Sequence, residues 1–129
     1  MPEQQPAPDN PEVKIQPVEV QFGDVVEILR HGQPEKPCVV VDAAQDQLQA
    51  STILKEPDGT EYLSAAGTVV LPVRVVAKWD FDKVFEATMH YWENGGHRTS
   101  PELRDKIRKI LEQGRAKPPV TYTGQEVDY

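Results

Sequence analysis

The sequence predicts a β-rich α+β domain: a small antiparallel β-barrel or curled sheet of five to six strands over residues 18–77, followed by a C-terminal helical hairpin. Three observations predict it. From Val18 onward apolar and polar residues alternate, the period of a half-buried strand. Turn-forming residues interrupt the alternation every few positions, which is the pattern of short strands joined by tight connections. After Asp80 the apolar period lengthens to about 3.6, the period of a helix.

The first strand places Val18, Val20 and Phe22 on one face and Glu19 and Gln21 on the other. Gly23-Asp24 breaks it, and residues 25–29 resume. Residues 30–37, with Gly32, Pro34 and Pro37, are expected to form a polar loop. Cys38, Val39, Val40 and Val41 make an unbroken apolar run, as expected of a central strand buried on both faces. Residues 48–54 and 60–65 flank Glu56-Pro57-Asp58-Gly59. In that turn Pro57 presets φ, Asp58 bonds nearby backbone and Gly59 takes a left-handed position. Pro72 lies within the last strand, 68–77, which is therefore an edge, bent, or split in two. Short strands in about sixty residues suggest a sandwich or barrel, and at this size the SH3-like barrel is the commonest form. An antiparallel sheet with helices on one face is the alternative.

In residues 80–93, Phe81, Val84, Phe85, Thr88 and Trp92 share one face, with Met89 beside it. Asp80 is the expected N-cap and Gly95-Gly96 the stop. The second helix, about 101–113, opens with Thr99-Ser100-Pro101-Glu102. Thr99 would make a capping box with Glu102; Ser100 would put Pro101 at the favoured first position. Leu103, Ile107, Ile110 and Leu111 form its apolar stripe, and Gly114 is expected to end it. The short link makes the two helices fold back on each other.

The flanks differ from this centre. Residues 1–17 hold five prolines among polar residues, so they are expected to be a disordered arm. Residues 18–114 form the single domain, and residues 115–129 a flexible tail carrying Val120, Tyr122, Val127 and Tyr129. The N-terminus lacks the basic start and apolar stretch of a secretory signal. No apolar run approaches the ~20 residues of a membrane span. One cysteine excludes an internal disulfide. Together these lead to the expectation of a cytoplasmic, reducing setting.

Residues 23–41, GDVV followed by a loop and KPCVVV, resemble the opening of PemK/MazF-type toxins and of KOW-like barrels. Such toxins are ribonucleases that use an Arg after the first strands and a Ser or Thr after a later one. The resemblance implies Arg30 with Ser51 or Thr52 in those roles, and it requires them to meet in one cleft with a general base.

Other chemistries find little support. Cys38 opens an apolar strand and reads as a small buried hydrophobe. His90, Glu93 and His97 are spaced by three and four, but Gly95-Gly96 interrupts the helix that would align them. No zinc site is expected, therefore; His90 reads as a helix-surface residue and His97 as a loop residue. Asp80 and Asp82 suit a helix start. Asp24, Asp42, Asp46 and Asp58 suit turns. The P-loop, dinucleotide fingerprint, nucleophile elbow and paired CxxC are all absent from the sequence. No catalysis, metal or small-molecule cofactor is expected.

Charge carries the functional hint. The chain holds 21 acids and 14 bases, a formal net charge of −7, which disfavours nonspecific binding to nucleic acid or anionic membrane. Residues 98–119 invert this, with seven bases against three acids. Three i,i+4 pairs, Glu102–Lys106, Asp105–Lys109 and Arg108–Glu112, would neutralise part of it. Arg98, Arg104, Arg115 and Lys117 would remain free. The expected contact residues are Arg98, Arg104, Arg108, Arg115, Lys117 and, from an extended Pro118-Pro119 tail, Tyr122. The leading expectation is a non-catalytic intracellular interaction or assembly module that meets a protein partner or itself. Its small size and lack of motifs suggest phage or mobile-element origin. A weak nucleic-acid-binding barrel using 98–117 and the toxin-like ribonuclease are the alternatives.

Overall fold

A computed structural model of the chain describes residues 17–96 and 98–125. The expected arm, apart from Pro17, lies outside the described residues, as do His97 and the last four residues. The fold is α+β. In order it runs β1 (Val18–Val20), β2 (Asp24–Arg30), β3 (Gln33–Ala43), β4 (Leu48–Lys55), β5 (Glu61–Leu63), β6 (Gly67–Val69), β7 (Val73–Lys78), α1 (Phe81–Asn94), α2 (Pro101–Ala116) and β8 (Val120–Tyr122).

The main sheet has the order β5-β4-β3-β2-β7, with β6 pairing β4 beside β5, and every pairing is antiparallel. β1 and β8 form a separate two-stranded ribbon. The sheet does not close into a barrel, so of the two expected forms the structure supports a sheet with open edges at β7 and at β5. Eight strands replace the expected five to six for two reasons. The stretch containing Pro72 is split into β6 and β7, with Pro72 in the gap. The supposed tail supplies β8.

The Cys38–Val41 run is central, as its composition requires. Val39 packs with Phe22, Val25, Leu63, Trp79, Phe81, Val84, Phe85, Met89, Ile107 and Leu111 beneath the helices, joined by Val41 at the margin. Cys38 and Val40 pack on the opposite side with Val20, Val26, Leu48, Val69, Val73 and Tyr122. Alternation in one strand thus feeds two apolar layers. Burial also pushes the Cys38 thiol pKa up, which leaves the group protonated and unreactive.

The expected loop 30–37 is instead a tight hairpin. His31 and Gly32 both have positive φ, 52° and 77°, the signature of a two-residue type I′ turn. Arg30 pairs with Gln33 directly across it. β4 first meets β3 at Cys38, so Gln33–Pro37 is an edge on that side. An edge tolerates Pro34 and Pro37, which the sequence alone makes look like loop punctuation.

Gly23 turns the chain between β1 and β2 with φ 89°. Its N–H donates to the Val40 carbonyl (2.8 Å), and its own carbonyl accepts from the Trp79 N–H (2.7 Å). Buried Asp24 completes the corner by accepting from the Gln21 N–H (2.9 Å) and pairing with Lys78 (3.0 Å). Asp80 caps α1 as expected, accepting from the Lys83 N–H at 2.7 Å, and of the two candidates for α2 it is Ser100, not Thr99, that caps, accepting from the Leu103 N–H at 3.1 Å with Pro101 opening the helix.

Gly114 does not end α2, which continues to Ala116. A Cβ at Gly114 would sit 2.2 Å from the Val41 carbonyl oxygen, so glycine there lets α2 lie directly on β3. Beyond it, the chain expected to be a flexible tail returns to the sheet. β8 pairs Tyr122 with Val18, and the Tyr122 ring is 1% exposed. Its hydroxyl donates to the Leu71 carbonyl at 2.6 Å, with the Val69 carbonyl at 3.3 Å. Past Tyr122, the Thr123 and Gln125 N–H groups donate to the Gln45 and Val70 carbonyls. The physical reason is burial. Tyr122 joins the aliphatic layer on the face the helices leave uncovered, and its hydroxyl reaches backbone acceptors there.

Candidate interaction face

The surface formed by α1 and α2 is built on two aromatic side chains. Phe81 and Phe85 lie one turn apart in α1, and their rings are nearly parallel (interplanar angle 5°, centroids 6.3 Å apart). Three arginines of α2 lie over them. The Arg108 guanidinium is 4.2 Å from the Phe85 centroid, that of Arg115 4.2 Å from Phe81, and that of Arg104 5.2 Å from Phe85. Their sequence spacing of four and then seven puts all three on one flank of a helix. A guanidinium lying over a ring can keep its N–H edges free for acceptors in its own plane.

The ion pairs differ from those the sequence suggests. Of the three expected i,i+4 pairs, Asp105–Lys109 forms at 3.4 Å. Glu112 instead meets Arg115 at 3.9 Å. Arg104 reaches across to α1, 3.7 Å from Glu86 and 3.8 Å from Glu93. Lys117 pairs with Asp42 at 2.7 Å. Arg104, Arg115 and Lys117, expected to be free, are therefore paired. Arg98, Lys106 and Arg108 have no carboxylate partner among the described residues. Tyr122 leaves the contact set altogether, because its side chain is buried in the ribbon-side core.

The outer side of α1 is acidic. Asp82, Glu86 and Glu93 share a helical stripe, and beside it a shallow depression of about 560 Å³ opens toward β5, lined in part by Glu61, Lys83 and His90. Lys83 sits over Trp79 (4.2 Å) and 3.5 Å from Glu61. At the far end of α1, His90 Nε2 is 3.1 Å from both Glu56 Oε2 and the Asn94 side-chain amide, which itself bonds Glu56. This cluster ties the β4–β5 hairpin to α1. Among the described residues no three His, Cys, Asp or Glu side chains gather to hold a metal ion.

The two ribonuclease candidates are kept apart. Arg30 lies at the hairpin tip opposite Gln33 and is bonded to Glu35 (2.7 Å). Thr52 lies opposite Cys38, two strands from Arg30 with β3 between them and five residues farther along, on the order of 17 Å by strand rise alone. Ser51 is buried. The outer edge of β7 is unpaired among the described residues, but it is blunted. Val76 is an extra residue between the pairs Val25–Ala77 and Val26–Val75, and Arg74 and Lys78 flank it. Such bulges and charges discourage strand addition.

The Phe81–Phe85 shelf is the feature that reading the sequence for charge alone misses. Its legible trace is an i,i+4 aromatic pair opposite three arginines at matching helical positions. Among the described residues no helix is long and apolar enough to cross a membrane. Comparison with protein-family models, curated proteins and solved structures finds no match for this chain, so its functional reading rests on this geometry.

Proposed function

We propose that this chain is a non-catalytic protein-interaction or assembly module, with the arginine row of α2 as its contact face. The observation that carries the reading is Arg108. Its guanidinium is exposed, held over Phe85, and has no carboxylate partner among the described residues. Arg104 and Arg115 flank it with long, solvent-weakened pairs of 3.7–3.9 Å. Preorganised guanidiniums suit carboxylates, because the planar fork matches a carboxylate in two bonds.

Acidic protein is favoured over nucleic acid by charge. The cations of residues 98–117 with no carboxylate partner among the described residues, Arg98, Lys106 and Arg108, would contact about three phosphates. That gives a logarithmic salt slope near roughly −2.7, opposed by a net charge of −7.

The test has two arms, both using the purified full chain. Titration against labelled duplex DNA and single-stranded RNA at low salt is expected to show no binding. Affinity capture from host extract is expected to retain a discrete partner that Arg108→Glu loses. Arg108→Ala is expected to leave stability within about 1 kcal/mol, the scale of one exposed cation–π contact. Salt-sensitive nucleic-acid binding, abolished by Arg108→Glu, would overturn the reading in favour of a nucleic-acid binder using residues 98–117.

A further inference from the structure

The acidic and basic rows lie side by side on one face. Arg104 touches both Glu86 and Glu93, which places the flank of α2 bearing Arg104, Arg108 and Arg115 next to the flank of α1 bearing Asp82, Glu86 and Glu93. From first to last residue each row advances eleven positions, about 16.5 Å of helix. Such a face carries its own complement. From it we infer that the occupant of this face is a second copy of the chain, in a two-fold dimer whose α1 acids meet the partner's α2 arginines. The inference deepens the interaction-module reading and rests on it.

Charge selects the geometry. In a face-to-face pair the two-fold axis lies in the interface. If it runs across the helices, α1 lies on α1 and α2 on α2, setting acids against acids and arginines against arginines. If it runs along them, between α1 and α2, each α1 lies on the partner's α2 with opposite chain direction. A rotation about that axis keeps each residue's height along the helices, so Arg115, over Phe81, is level with the partner's Asp82, and Arg104 with the stretch between the partner's Glu86 and the partner's Glu93. Arg108, over Phe85, is level with the partner's Glu86.

The members with least to lose sit in these positions. Arg108 and Asp82 have no ion pair within the chain among the described residues, and Glu86 has only the 3.7 Å contact with Arg104. The face carries little exposed apolar area, since Phe81 and Phe85 are buried under the arginines. The dimer is therefore held by charge, and salt weakens it.

Sedimentation equilibrium of the full chain tests this. A dimer is expected at about 20 mM salt and a monomer at about 500 mM, where the screening length shrinks from roughly 20 Å to 4 Å. Arg108→Glu and Glu86→Arg are each expected to raise the dissociation constant at least ~10-fold, a loss of about 1.4 kcal/mol. Mixing the two variants is the decisive step. In a two-fold interface the mixture sets the carboxylate introduced at position 108 of one chain against the guanidinium introduced at position 86 of the other. The second contact keeps the native pair, Glu86 of the first chain with Arg108 of the second. Heterodimers therefore form where neither variant associates alone. That rescue also shows that both variants are folded. A monomer at every salt concentration, or a dimer indifferent to both substitutions, overturns the inference. If partner capture through Arg108 persists in that case, the interaction-module reading stands without it.

Discussion

The two sides of the sheet are finished by different means. On one side, α1 and α2 cover an aromatic-rich layer that includes Phe22, Trp79, Phe81 and Phe85. On the other, the β1–β8 ribbon covers an aliphatic layer closed by one aromatic ring, Tyr122. The helix side has two long amphipathic segments, and their outer surfaces remain available for charge. The ribbon side has two three-residue strands drawn from opposite ends of the described chain, and it depends on a single large side chain. Redundant cover leaves a surface free to serve as a contact face. Minimal cover commits its residues to structure, which is why Tyr122 is buried while Arg108 stays exposed.

The largest test of this contrast is Tyr122→Ala. It removes a buried ring, two contacts to backbone carbonyls and the anchor of β8, and is expected to cost roughly 3–5 kcal/mol, read as a fall in urea midpoint. A loss below about 1 kcal/mol would show that the ribbon is dispensable and the two sides are not so different.

Gly114→Ala probes the helix side. Alanine favours a helix by about 1 kcal/mol, yet its Cβ would meet the Val41 carbonyl oxygen at 2.2 Å. The clash is expected to win and destabilise the chain by roughly 1–3 kcal/mol. A stabilised variant in the same urea titration would mean that α2 does not rest on β3 at this point.

The smallest effect separates the sides by pH. Burial, with the Asp46 carboxylate adding to it, pushes the Tyr122 hydroxyl from 10.0 up to about 12. The unfolded chain releases this proton near its ordinary value, and the folded chain releases it only near the raised one. Stability from this group is thus complete below pH 10 and lost as pH rises through about 12. Thermal melts of the wild type and Tyr122→Phe across this range should converge as pH rises. Parallel curves would assign the alkaline loss to other groups.

Much of the helix side was legible. The Asp80 cap, a cap for α2 at Thr99 or Ser100, the apolar stripes except Ile110, which is 56% exposed, and the central Cys38–Val41 strand follow from local patterns, because period and capping are properties of neighbours in sequence. The arginine row was legible as charge but not as a shelf. Whether Arg108 meets Glu112 or the Phe85 ring depends on where α1 lies, and an i,i+4 rule contains no α1. The expected free cations Arg104, Arg115 and Lys117 are paired for a related reason: Glu86, Glu93 and Asp42 come from other elements, and Glu112 lies by Arg115 while Arg108 lies over Phe85.

By itself the sequence determined the α+β class, the turns at Gly23 and Gly59, an irregularity at Pro72 and a basic C-terminal helix. Each follows from backbone preference or periodicity within a few residues. Tertiary structure alone decided that the sheet stays open, that residues 33–37 extend β3 as an edge, that Gly114 is a contact point and that Tyr122 is core. These depend on which distant surfaces still need cover once the local elements have formed. Burial of apolar area is a property of the assembled layers, and no local pattern specifies which segment will supply it.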